Sequence, residues 1–328
     1  MKKIALIGLF VSLLFPALAQ ELSFKSRFPL ENGNEKWDYM TIYNQLIFVS
    51  HGDRVHVVQT ADGKSIAEID SLKGVHGIAI APQFNKGYIT NGTTNIITIF
   101  DLKTYQVIQS LKIAGTKADA ILFDDYSKRI FVFNNGSGDA VVIDPKNDSV
   151  IGQITMGGAP EFAVSNLKGS IFNNNEDTNE VIEIDAISLK IKNRFSLAPH
   201  EVATGLTMDV SNNRLFSVCR KTNTIVILDA SNGKIIQTLP IGGGVDGVVY
   251  DPVLQVIITS NGEGNATVIK QKDANHYEVT QTIPTAKGQK TIALIPAKHH
   301  VFLSSASYLA DGKTPAPGTF GLSVYQIN

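Results

Sequence analysis

Seven positions in this 328-residue chain carry chemically active side chains where their surroundings are apolar: Asp38, His76, Asp119, Glu161, Thr204, Asp246 and Lys290. A second series, His51, Asn91, Asn134, Asn175, Cys219, Asn261 and Ser305, follows the first at a distance of 13 to 15 residues. Arg220 directly follows Cys219, and His200 lies just ahead of Thr204. Carboxylate, carboxamide and imidazole donors of these kinds suit Ca²⁺, Mn²⁺ or Zn²⁺. They equally suit a polar small molecule. The expected ligand-binding set is Asp38, His51, His76, Asn91, Asp119, Asn134, Glu161, His200, Arg220, Asp246, Asn261 and Lys290. Within it, His76, His51 and Asp119 are the expected metal ligands, because nitrogen and oxygen donors would meet there. No P-loop, dinucleotide fingerprint, G-x-S-x-G elbow or H-E-x-x-H motif accompanies them.

Such residues form a site only if an architecture gathers them, and the repeats supply one. Short apolar strands end at Gln59, Asp101, Asp144, Asp185, Asp229, Gln271 and Gln326, at steps of 41 to 44 residues and a last step of 55. One full repeat reads as four strands: Gly77 to Ala81, Gly87 to Thr90, Ile96 to Phe100 and Val107 to Lys112. Seven such units predict an all-β, seven-bladed β-propeller of four-stranded antiparallel blades. The aspartates Asp101, Asp144, Asp185 and Asp229 open the turn after the third strand and are expected to accept local backbone hydrogen bonds. The last repeat lacks an outer strand, while Leu22 to Phe28 belongs to no repeat of its own. The amino-terminal strand should therefore close the ring by pairing with the carboxy-terminal blade, which removes two open sheet edges. The extra length of the last step lies in Ser307 to Thr319, a loop that should decorate one face.

Tyr88-Ile89-Thr90-Asn91 and Phe131-Val132-Phe133-Asn134-Asn135 sit inside these repeats. With Asn-x-Val-x-Val-Ile-Asp-like strands after them, they resemble the YVTN β-propeller repeat of exported bacterial proteins, including YncE-like proteins. The resemblance covers nearly all of the chain after its first residues. It implies the propeller fold and a noncatalytic binding or scaffold module acting through its channel-mouth face, on a polar small molecule or an envelope protein. The alternative is a metal-dependent hydrolase or lactonase, because some propellers open lactones with a carboxylate/Asn calcium site. The third is binding of single-stranded DNA, with which YncE-like proteins have been associated. A basic, aromatic groove is needed for that, and a net charge of −1 with scattered Lys and Arg does not provide it. A channel mouth is wet, so an unliganded scaffold would also carry polar residues there.

Met1-Lys2-Lys3, the apolar run to Phe15, Pro16 and Ala17-Leu18-Ala19 read as a signal peptide, cut between Ala19 and Gln20. Residues 20–328 should then form a single domain, periplasmic or secreted, monomeric and without a transmembrane segment. The sole cysteine, Cys219, rules out an internal disulfide, a CxxCH haem site and a cysteine zinc cluster.

Overall fold

The computed structural model describes residues 21–30 and 35–328. The signal-peptide reading and the proposed cut after Ala19 fall outside them. Seven antiparallel sheets of four strands each form a ring, the seven-bladed propeller expected from the repeats. Blades 1 to 6 span residues 37–69, 75–112, 118–155, 160–196, 203–240 and 245–284, with strands in chain order from the channel outward. Blade 7 joins residues 292–327 to the strand Leu22–Pro29.

Blades stack face to face, so their middle strands are buried on both sides. That is why they read as near-continuous apolar runs and not as alternating ones. Phe131, Val132 and Phe133 in one strand, and Ala140 to Ile143 in the next, are essentially inaccessible. The outermost strands face solvent, as at Val107–Lys112. Each Asp at the end of a third strand accepts backbone N–H bonds from the turn it opens: Lys103 and Thr104 donate to Asp101, and Ile187 and Ser188 to Asp185. Neighbouring blades are also tied by polar contacts. Asp148 of blade 3 accepts from Lys86 Nζ at 2.6 Å and from Tyr88 Oη at 2.7 Å, both in blade 2.

Leu22–Pro29 pairs with Gly321–Ile327 as the outer strand of blade 7, from Leu22 opposite Ile327 to Pro29 opposite Gly321. Leu22 and Phe28 anchor it by burial; Phe28 packs in the cluster of Trp37, Phe302 and Phe320 that joins blades 7 and 1. The Arg27 guanidinium donates to the carbonyl of Thr319 at 2.7 Å and to Ser305 Oγ at 3.2 Å, binding the strand to both ends of the blade-7 loop. Phe28→Ala should lower the unfolding free energy by about 3–5 kcal/mol, and Arg27→Ala by about 1–3 kcal/mol. Urea titration checks both. Wild-type midpoints in the two variants would mean that the ring is not held shut by this strand.

Candidate functional site

The innermost strands aim the site. In blades 1 to 6 their pairing slips near the first residues, between Trp37 and Met40, Val75 and Ile78, Ala118 and Ile121, Pro160 and Ala163, Ala203 and Leu206, and Val245 and Gly247. Such bulges re-aim a side chain that regular pairing would send elsewhere. Asp38, His76, Asp119, Glu161, Thr204 and Asp246 all lie inside these irregular steps. Lys290 precedes the first strand of blade 7, Ile292–Ile295. Buried polar residues one position before the second-strand ends hold several of these backbones across the blade boundary. Thr90 Oγ1 donates to the Asp119 carbonyl at 2.7 Å, Asn174 Nδ2 to the Thr204 carbonyl at 3.0 Å, and Ser260 Oγ to the Lys290 carbonyl at 2.5 Å.

Asp38, Asp119, Glu161, Arg220, Asp246 and Lys290 line one cavity of about 160 Å³, together with Tyr39 and Phe162. A wider hollow of about 460 Å³ adjoins it, sharing Asp38 and Lys290 and adding His76, Lys36, Trp37, Tyr308 and Lys313. Tyr308, Lys313 and Pro315 bring the long blade-7 loop to this mouth.

Charge is unevenly divided across the ring. On the side of blades 5 to 7 the ions are paired: Arg220 Nη1 lies 2.9 Å from Asp246 Oδ1, its other amino group binds Glu176, and Lys290 Nζ lies 2.5 Å from Asp246 Oδ2. Burial works against the Lys290 charge, but Asp246 and Asp38 hold its pKa above the ordinary lysine value. On the side of blades 1 to 4, Asp38 and Asp119 face one imidazole, Glu161 feels both carboxylates, and Lys117 acts on His76 and Asp119 from the rim, where its Nζ donates to Asn135 Oδ1 at 3.1 Å. His76 Nδ1 lies 2.5 Å from Asp38 Oδ2 and 3.7 Å from Asp119 Oδ1. Burial pulls the His76 pKa down, and the bond to Asp38 with the field of Asp119 raises it overall. Burial, with Asp38 adding to it, pushes Asp119 up to about 7. Burial pushes Glu161 up to about 10, with Asp119 and Glu176 adding to it. Glu161 keeps neutral partners: Asn135 Nδ2 donates to it at 2.8 Å and Tyr39 Oη at 3.4 Å.

The second-strand ends do not reach this cavity, which corrects the expectation for His51, Asn91, Asn134 and Asn261. A strand turns successive side chains to opposite faces, and these point back into their own blades. Asn91 Nδ2 donates to Thr98 Oγ1 and its Oδ1 accepts from Lys73 N; Asn134 binds Asp139; Asn261 binds Asn265 and Thr267. His51 stacks on Phe320 at 4.0 Å between ring centroids, with Nδ1 3.2 Å from His56 Nε2. It therefore lies apart from His76 and Asp119, and the third residue grouped with those two is Asp38. His200 binds Thr224 Oγ1 at 3.0 Å and does not line the cavity. The residues that do face the mouth come one position later, Asn135, Glu176 and Arg220 in blades 3 to 5; the equivalent positions are glycine in blades 1, 2 and 6, and in blade 7 Ala306, which packs in the core. Asn135 and Glu176 lie one residue past the second-strand ends expected from the repeats, the place that Arg220 holds in blade 5, and Tyr39 follows Asp38 on the first inner strand.

Residues 23–202 match the family described as "Domain of unknown function (DUF5074)". The chain belongs to the DUF5074 family. The match runs from the closing strand to the loop ahead of blade 5. No curated protein matches the chain. Among solved structures, this DUF5074 propeller is similar to Kuenenia stuttgartiensis hydrazine synthase, at 15% identity over 84% of this chain and 94% of that one, with a TM-score of 0.74. It is similar to a chain of the mitotic checkpoint complex, at 12% identity over 99% and 98%, TM-score 0.77. It is also similar to the WD40 repeats of RRP9, at 8% identity over 94% and 100%, TM-score 0.79. At these identities the likeness is one of fold alone.

Two pH-dependent outcomes follow from the DUF5074 geometry. Burial holds His56 down at about 4 and lowers His51 as well; Glu68, 3.4 Å from His56 Nδ1, is partly exposed and its pull is screened. Both rings fold neutral, so their stability contribution is complete above about pH 6.5 and is lost as pH falls toward about 4. His56→Gln should flatten the decline of Tm over that window; an unchanged slope would contradict the assignment. Glu161 has the opposite sign. A folded pKa near 10 means that the native state retains a proton the unfolded chain releases, so stability declines as pH rises above about 4.5. Glu161→Gln should raise stability by about 1–2 kcal/mol at pH 8 and less at pH 5. Equal effects at both values would show that Glu161 titrates normally.

Proposed function

We propose that this DUF5074 chain is a noncatalytic binding module whose channel mouth takes a small polar molecule carrying a positively charged group, such as an amine or guanidine. One observation carries the reading: Asp38, Asp119 and Glu161 gather on one side of the mouth, where the ion pairs within 4.0 Å are those of the His76 imidazole and Lys117 acts from the rim, while Arg220 and Lys290 are already paired with Glu176 and Asp246. Buried carboxylates lacking counter-charge are costly, and a cationic ligand relieves that cost. An envelope protein presenting a lysine or arginine would satisfy the same chemistry. Phosphate would be repelled by this floor, so nucleic acid is not favoured. The repeat pattern around Tyr88 to Asn91 supports grouping the chain with YVTN, YncE-like exported propellers, and the pattern of residues 1–19 supports export to the periplasm or beyond, with residues 20–328 as one domain.

The test is a thermal-shift screen of EDTA-treated protein against polyamines, guanidines, amino sugars, neutral sugars, lactones and oligonucleotides, followed by calorimetry on the hits. Cationic compounds should stabilise the protein, and Glu161→Gln and Asp119→Asn should each weaken binding about tenfold, or about 1.4 kcal/mol. Hits confined to neutral or anionic compounds, or cationic hits indifferent to both variants, would overturn the reading.

A further inference from the structure

Asp38, His76 and Asp119 come from three successive blades, yet each offers a donor atom within 4.8 Å of the other two. Blade 1 supplies a carboxylate, blade 2 an imidazole and blade 3 a second carboxylate. We propose that these three side chains bind one divalent transition-metal ion, Zn²⁺ by preference, with an open coordination position facing the channel. The inference rests on reading the mouth as a binding site only for that last point, since the open position is where a ligand donor atom would attach.

The distances fit with little adjustment. Zn²⁺ bonds of about 2.0–2.1 Å in a tetrahedral site place neighbouring donors about 3.3 Å apart. His76 Nδ1 lies 2.5 Å from Asp38 Oδ2 and 3.7 Å from Asp119 Oδ1, values on either side of that spacing. The Asp119 carboxylate, 15% exposed, receives no hydrogen bond among the described residues, and its nearest cationic partner is the same His76 ring. Asp119 lines the channel cavity, so its carboxylate is reached from there, and a bound cation would supply the charged partner that the protein gives it only through His76. The backbone that carries it is set by Thr90 Oγ1, which donates to the Asp119 carbonyl at 2.7 Å.

The imidazole is accommodated by a missing side chain. A Cβ on Gly92 would fall 2.8 Å from His76 Cδ2 and 2.9 Å from His76 Nε2, so only glycine lets the ring lie with Nδ1 toward both carboxylates. One imidazole with two carboxylates suits Zn²⁺ and, less tightly, Mn²⁺. Ca²⁺ wants six to eight oxygens and finds too few here.

The experiment is calorimetry of the full chain, stripped with EDTA and dialysed, titrated with ZnCl₂, MnCl₂ and CaCl₂. The expected result is saturable binding of one Zn²⁺, tighter than Mn²⁺, with Ca²⁺ weakest. His76→Ala and Asp119→Asn should each weaken Zn²⁺ by about tenfold or more. Gly92→Ala should do the same by displacing the ring while leaving every ligand in the chain, and His276→Ala, exposed beside Asp273 away from the mouth, should stay near wild type. If a ligand variant fails to fold, Gly92→Ala and the visible spectrum of the Co²⁺-loaded wild type decide: intense bands of a four- or five-coordinate ion support the site. No saturable Zn²⁺ heat, equal Zn²⁺ affinity in His76→Ala, Asp119→Asn and Gly92→Ala, or only weak octahedral Co²⁺ bands would overturn the proposal. Lost Zn²⁺ binding with amine binding intact in EDTA would sink this inference alone. Retained Zn²⁺ binding with no cationic ligand would sink the reading of the mouth alone.

Discussion

Everything at the channel mouth depends on the antiparallel pairing of Leu22–Pro29 with Gly321–Ile327. A propeller's inner strands do not pair with one another; they are held around the channel by blades that must stack all the way round. Without the closing strand, the sheet edge at Gly321–Ile327 is open and the apolar seam of Phe28, Trp37 and Phe320 loses one wall. Asp38 sits beside Trp37 in that seam, and Lys290 opens the last blade. The acidic and basic sides of the mouth are therefore brought face to face by the same contact that closes the ring.

Closure also explains why charged groups tolerate each other there. The inner-strand groups come from different blades, those of blades 1 to 6 set by bulges, and a neighbouring blade's buried hydroxyl or amide holds the backbone at Asp119, Thr204 and Lys290. The paired half, Arg220 with Glu176 and Asp246 and Lys290 with Asp246, satisfies itself. The other half, Asp38, Asp119 and Glu161, depends on His76, on Asn135 and on protons. The asymmetry is built from repeats whose cores are alike, so packing does not require it.

Much of the fold was legible because blade cores impose one chemical demand seven times: apolar, β-branched or aromatic residues buried on both faces. Strand periodicity, the turn aspartates and the spare amino-terminal strand all express that demand directly. The inner-strand residues Asp38, His76, Asp119, Glu161, Asp246 and Lys290 were legible for the same reason, as polar breaks in an apolar repeat. The rim was not. A shift of one residue along a strand exchanges its two faces, and Asn at a strand end is polar whether it caps its own turn or faces the channel. Asn91, Asn134 and Asn261 bond within their own blades and His51 packs on Phe320 and His56, while Asn135 and Glu176 face the mouth. His200 stays with Thr224 because the loop ahead of blade 5 carries it over its own blade. Only geometry separates these cases.

The central claim is that this mouth gathers more buried carboxyl groups than its own cations can hold ionised, so that Glu161 keeps its proton. The most direct measurement is the carboxyl ¹³C shift of Glu161 followed by NMR from pH 3 to 11, in protein labelled at glutamate side chains and assigned with Glu161→Gln. The account predicts a carboxyl that stays protonated through neutral pH and titrates near 10. A Glu161 that loses its proton near pH 4, with the exposed glutamates, would contradict it.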